Sequence, residues 1–151
     1  MEHMRDSSWR TAISATLHCL TGCAIGEVLG MVISSAAGWS AVPSIAISVA
    51  LAFLFGYLLT SLPLLRAGLA LGVVVPLALA SDTVSILVME IVDNAFMFLT
   101  GAMNEGLRDA LFWLGLAASL AIAFVITVPV NRFLIARGKG HAVVHAHHHA
   151  G

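Results

Sequence analysis

The sequence predicts an all-α polytopic membrane protein, a bundle of four transmembrane helices, and three observations predict it. Of the 151 residues 60% are hydrophobic and only 10% are charged, and the mean hydropathy is +0.99. A water-soluble domain of this length could not hide so much apolar surface. The apolar residues fall in runs that meet the roughly 20 residues a bilayer core asks of a helix. Interfacial and turn-forming residues such as Gly38-Trp39 and Arg66 separate the runs, as they do at membrane boundaries.

The first span is expected over residues 9–37, closed by Gly38-Trp39 and followed by Pro43. The second covers 43–65 and ends at Arg66. The third is harder to place, because 67–103 is longer than one span needs and contains Pro76. An unbroken helix over that stretch would exceed about 50 Å at about 1.5 Å per residue. A kink at Pro76, or an interfacial first part, leaves a span over 78–103. The fourth covers 111–135 with Pro129 near its end, and Asn131-Arg132 is expected to return the chain to water. The chain thus divides into a four-helix domain, 1–137, and a tail, 138–151.

Basic residues orient the bundle. Four spans put the N-terminus, the Arg66 loop and the C-terminus on one side, with Arg5, Arg10, Arg66, Arg132, Arg137 and Lys139. The other side has only Arg108, beside Glu105 and Asp109. The positive-inside rule places both termini in the cytoplasm. Arg10 leads into a full-length span without a small-residue cleavage motif, so the first helix serves as its own targeting signal. A formal net charge of -1 offers no basic stripe to neutralise phosphates, which excludes nucleic acid as a partner.

The chemistry begins in the run HCLTGCAIGEVLGM, which holds His18, Cys19, Cys23, Glu27 and Met31. Residues four apart share a helix face, so Cys19, Cys23, Glu27 and Met31 form one row. His18, Gly22, Gly26 and Gly30 form the row beside it. The glycines read as a small-residue packing seam, expected to bring the ligand row against the third span and to support a homo-oligomer. In the third span Asp82, Ile86, Met89, Glu90, Asp93 and Met97 fall within one broad face. Both spans run outward from the cytoplasm, which sets Cys23 level with Met89 and Glu90, Glu27 with Asp93 and Asn94, and Met31 with Met97. These residues share a slab near the midplane, where transport sites tend to occur.

Bland readings exist for most of these residues. Cysteine packs as a small hydrophobe and methionine fills irregular cores. The acids resist such a reading. A charge at the bilayer centre costs at least about 2.5 kcal/mol, and Glu27, Asp82, Glu90 and Asp93 have no Lys or Arg in their slab. They hold protons or bind a cation. Thiolate, thioether and imidazole suit soft metals, copper first and zinc as the alternative, while carboxylates balance charge. The expected membrane ligands are His18, Cys19, Cys23, Glu27, Met31, Met89, Glu90, Asp93 and Met97. Two further readings stand beside this one: a proton- or cation-coupled carrier or channel in which Glu27, Glu90 and Asp93 act and the cysteines only pack, and a membrane thiol oxidoreductase using Cys19 and Cys23. The last is weakened by the C-x-x-x-C spacing, since redox pairs use C-x-x-C and a disulfide needs Cβ atoms about 3.5–4.5 Å apart. Ordinary hydrolytic chemistry has no supporting motif, so a catalytic set is not assigned.

The tail, GKGHAVVHAHHHAG, holds five of the seven histidines: His141, His145, His147, His148 and His149. A His-rich tract is a compositional metal-binding signal, and here it would collect ions at the cytoplasmic mouth. The runs WRTAISATLHCLTGCAIGEVLGM, SDTVSILVMEIVDN and PVNRFLIARGKGHAVVH, with the overall length, resemble an uncharacterised bacterial four-span membrane family, a domain of unknown function. The resemblance covers nearly the whole chain. It implies a multi-pass protein of the bacterial inner membrane and an accessory role in copper handling, without an assigned mechanism. The resulting expectation is transport or binding of a soft transition-metal ion, most readily copper, at a midplane site between the first and third spans.

Overall fold

The computed structural model describes residues 2–136, with side chains from 9 onward. The His-rich tail, with His141, His145, His147, His148 and His149, lies outside the described residues. The described residues form four helices, α1 (Glu2–Ala37), α2 (Ala41–Arg66), α3 (Leu71–Thr100) and α4 (Ala110–Ala136), with a 3-10 turn at Ala102–Asn104 before α4. All four are long and apolar enough to cross a membrane.

Two of the three helix ends between spans share one device. At Gly38, φ is 68°, and at Gly68 it is 90°. Trp39 N–H bonds back to the Ser34 carbonyl at 2.9 Å, and Leu69 N–H to the Leu64 carbonyl at 3.2 Å. The left-handed glycine lets the chain reverse while the last helical carbonyls stay hydrogen-bonded. At the start of α4, Asp109 Oδ1 accepts from Leu111 N–H at 2.8 Å, a side-chain cap on otherwise orphaned donors.

The third helix differs from the expected 78–103. It begins at Leu71, runs through Pro76, and stops at Thr100, where Gly101 takes a φ of 76°. Pro76 lies only one and a half turns into the helix, so it removes one bond, the one to Gly72, from a ladder that resumes at once. Membrane helices tolerate such a proline because neighbouring groups satisfy the freed carbonyl.

The helices form an up-down-up-down bundle in ring order. Each packs along its sequence neighbours and α1 closes the ring on α4, while α1 and α3 touch only across the axis. The distribution of polarity is inverted relative to a soluble bundle. The axis holds Thr16, Glu27, Ser81, Asp82, Ser85, Glu90, Asp93, Ser119, Thr127 and Asn131, each under one-tenth exposed. Leu79, Leu87, Ile91, Leu114 and Val125 face outward. Only a lipid solvent makes that arrangement favourable, because apolar outward surface costs nothing there and every buried polar group must find an internal partner.

The glycine seam has a different partner from the one the sequence suggested. A Cβ on Gly22 would stand 2.8 Å from Gly56 Cα, one on Gly26 2.6 Å from Ala52 Cα, and one on Gly30 2.7 Å from Ser48 Cα. All three therefore seat α2, not α3. The glycine row sits one residue away from the cysteine row, about 100° around a helix of 3.6 residues per turn. When α2 occupies the glycine side, the cysteine side turns to the bundle axis. The seam is used within the chain, between α1 and α2.

Candidate functional site

Across the axis, α1 and α3 bring thiols and carboxyls together in steps. Cys19 Sγ donates to Asp82 Oδ1 at 3.9 Å. One turn further, the Cys23 thiol meets the Glu90 carboxyl. One turn beyond that, the Glu27 and Asp93 carboxyls face one another with Glu90 close by. The levels read from the sequence, Cys23 with Glu90 and Glu27 with Asp93, are the levels observed. Both cysteines are buried thiols, set in an apolar cluster with Ala52, Ile86, Met89 and Ala123.

The carboxyls are only partly satisfied. Asp93 Oδ1 accepts a hydrogen bond from Ser119 on α4, and Glu90 Oε2 accepts from Asn94 Nδ2 at 3.2 Å. Glu27 Oε1, Glu90 Oε1 and Asp93 Oδ2 are buried and have no hydrogen-bond donor. Ionised carboxylates can only accept, so two that face each other are held together by a shared proton or by a cation. Among the described residues α3 contains no arginine or lysine, α1 has none after Arg10, and α2 and α4 carry only Arg66 and Arg132 near their ends.

The other expected ligands take separate places. Met89 is fully buried within the thiol cluster. Met31 and Met97 belong to a second cluster with Ala102, Phe112 and Leu116, toward the end that carries the α1–α2 and α3–α4 connections. His18 lies in the glycine row, on the side that meets α2; it is half-buried, with Nε2 sealed from solvent and without a hydrogen-bond partner. Among the described residues no three His, Cys, Asp or Glu side chains converge as a metal site.

Several members of the axis were not singled out as site residues in the sequence. Asn131 is fully buried instead of returning the chain to water. Its Nδ2 donates to Thr16 Oγ1 at 2.8 Å, and its Oδ1 accepts from Ser85, so one side chain ties α4 to both α1 and α3. Ser119, Ala123, Thr127 and Asn131 form a buried stripe at four-residue intervals on α4, and Ser48, Ala52, Gly56 and Thr60 form another on α2. Small or polar residues every fourth position in an otherwise apolar span are the signal that marks such stripes. Beyond Asn131 the chain reaches the boundary, where the Arg132 guanidinium lies 4.2 Å from the centre of the Trp9 ring. This contact suits an interfacial aromatic and a cation.

No curated protein and no solved structure matches the chain. Residues 8–140, which take in all four spans and the axis between them, match a family, and the chain belongs to it: DUF4396, a domain of unknown function.

Proposed function

We propose that this protein binds and moves a soft, monovalent transition-metal ion, copper(I) first among them, through the centre of its four-helix bundle. The observation that carries the reading is that each cysteine has a carboxyl opposite it, Asp82 for Cys19 and Glu90 for Cys23. Thiolate, not thiol, is the ligand form, and metal binding releases the thiol proton. A carboxylate beside each sulfur receives that proton without its leaving the apolar interior. Two thiolates one turn apart suffice for a soft monovalent ion, whereas a structural zinc site takes four ligands. Met89 adds a thioether to the same cluster. The excess of arginine at the end bearing both termini supports a cytoplasmic location for that end, in a bacterial inner membrane, with the tail histidines gathering ions there.

The test is elemental analysis of purified protein loaded with Cu(I) or Ag(I), with the five tail histidines replaced by alanine. About one ion per chain is expected, as two thiolates make one soft site. Cys19→Ser with Cys23→Ser should abolish it; an unchanged stoichiometry would remove the proposal. A second reading, a proton- or cation-coupled carrier, is favoured by the facing Glu27 and Asp93 carboxyls. It expects the reverse pattern in proteoliposome flux, with Glu90→Gln inactive and both serine variants silent.

A further inference from the structure

Two cavities that share lining residues lie at the end opposite the termini. The outer, about 260 Å³, opens between the α1–α2 turn and the α3–α4 connection and is lined by Met31, Ser34, Trp39, Ser44, Met103 and Glu105. The inner, about 20 Å³, is lined by Glu27, Ser48, Asn94, Met97 and Phe112, and shares Met31, Ser44 and Met103 with the outer one. A space of that size holds about one water or one ion. Glu27 ends the sequence of cavities: it is 6% exposed, and its Oε1 has no hydrogen-bond partner. Beyond Glu27 the axis continues to Glu90 and Cys23.

We propose that this is an access path, a methionine-lined vestibule in which Met31, Met97 and Met103 pass a soft monovalent cation from the connection end of the bundle to Glu27 and on to the thiols. The inference rests on the soft-metal reading above and adds the route and the side of access. Neutral thioethers bind soft ions without releasing a proton and bind hard ions poorly, so they select and still let go. The distribution of methionine supports the assignment. Neither α2 nor α4 contains any; of the methionines in α1 and α3 whose side chains are described, Met31 and Met97 line this path and Met89 lies beside the thiols. Glu105 at the rim sets a carboxyl where an incoming cation first meets the protein.

The experiment is initial-rate and end-point loading of Ag(I) into the full chain reconstituted in liposomes, comparing wild type with the Met31→Leu, Met97→Leu, Met103→Leu triple variant. Leu for Met conserves volume and is well tolerated in cores. The initial rate should fall about tenfold, equivalent to about 1.4 kcal/mol, while the end-point stoichiometry stays that of the wild type because the thiols remain. An unchanged rate in the triple variant, with Cys19→Ser and Cys23→Ser still abolishing binding, would overturn the vestibule and leave the soft-metal site standing. Normal binding in the double serine variant would overturn both. A second variant guards against misfolding: Asn104→Cys, on the wall of the outer cavity, should load as wild type when its thiol is capped with a small methyl disulfide, and modification with a bulky methanethiosulfonate should block loading. Normal loading after modification would refute the path.

Discussion

Gly26→Ala tests the packing on which the whole site depends. The added Cβ would stand 2.6 Å from Ala52 Cα and 2.8 Å from the Leu51 carbonyl carbon. Carbon atoms pack at about 3.5–4.0 Å, so α1 and α2 must part by about 1 Å, and a gap of that size forfeits roughly a quarter to a half of each dispersion contact along the seam. Both obstructing groups are backbone and cannot swing aside. Overpacking of this kind costs about 1–3 kcal/mol, offset by up to about 1 kcal/mol because alanine is the better helix former. The expected net loss is about 0–2 kcal/mol against wild type and about 1–3 kcal/mol against a control that gains the helix contribution alone. Gly56→Ala should lose less, because its Cβ would meet only the Ile86 side-chain tip. Gly72→Ala is the control: nothing lies within 4 Å of its Cβ, so it should be neutral or stabilising. Equilibrium unfolding in mixed micelles by SDS titration reads all three. A Gly26→Ala protein as stable as the Gly72→Ala control would refute the close approach of α1 to α2 along this row.

Two further outcomes are expected. Asn131→Ala removes hydrogen bonds to Thr16 and Ser85, each worth about 0.6–2 kcal/mol inside a membrane; a double-mutant cycle with Thr16→Ala should give a coupling in that range, and strict additivity would show that the bond contributes nothing. At the rim, hydrogen bonding and like charge from Asp109 raise the Glu105 carboxyl from its ordinary value. It therefore ionises at higher pH than an isolated glutamate, and its ionisation makes the vestibule mouth more negative, with Arg108 the cation next in sequence. The initial rate of Ag(I) loading should rise as Glu105 ionises, and Glu105→Gln should flatten the rise; an identical profile in the variant would separate Glu105 from access.

Much of the site was legible because two regular periods constrain it. Span length and direction set Cys23 level with Glu90 and Glu27 level with Asp93, since parallel helices of equal rise keep equal depth. The four-residue repeat separated the glycine row from the cysteine row. The repeat could not say which helix each row would face. The sequence led to an expectation that glycine would bring α3 to α1, whereas α2 took that side and α3 met the cysteines diagonally across the axis. Asn131 was misplaced for a related reason. Next to Arg132 near a helix end it reads as a residue in water, and only its reach to Thr16 and Ser85 shows it to be interior.

The sequence by itself determined the solvent, the number of spans, the uncompensated acids and the depth at which thiols and carboxyls lie, because composition, helix rise and charge are properties of the chain alone. The tertiary structure alone decided which thiol stands opposite which carboxyl, the polar stripe that α4 contributes, and the methionine-lined cavities at the connection end. Those depend on the rotation of each helix about its own axis. That rotation is set by which neighbours' backbones can approach, and here the contact of Gly22, Gly26 and Gly30 with Gly56, Ala52 and Ser48 turns the cysteines inward.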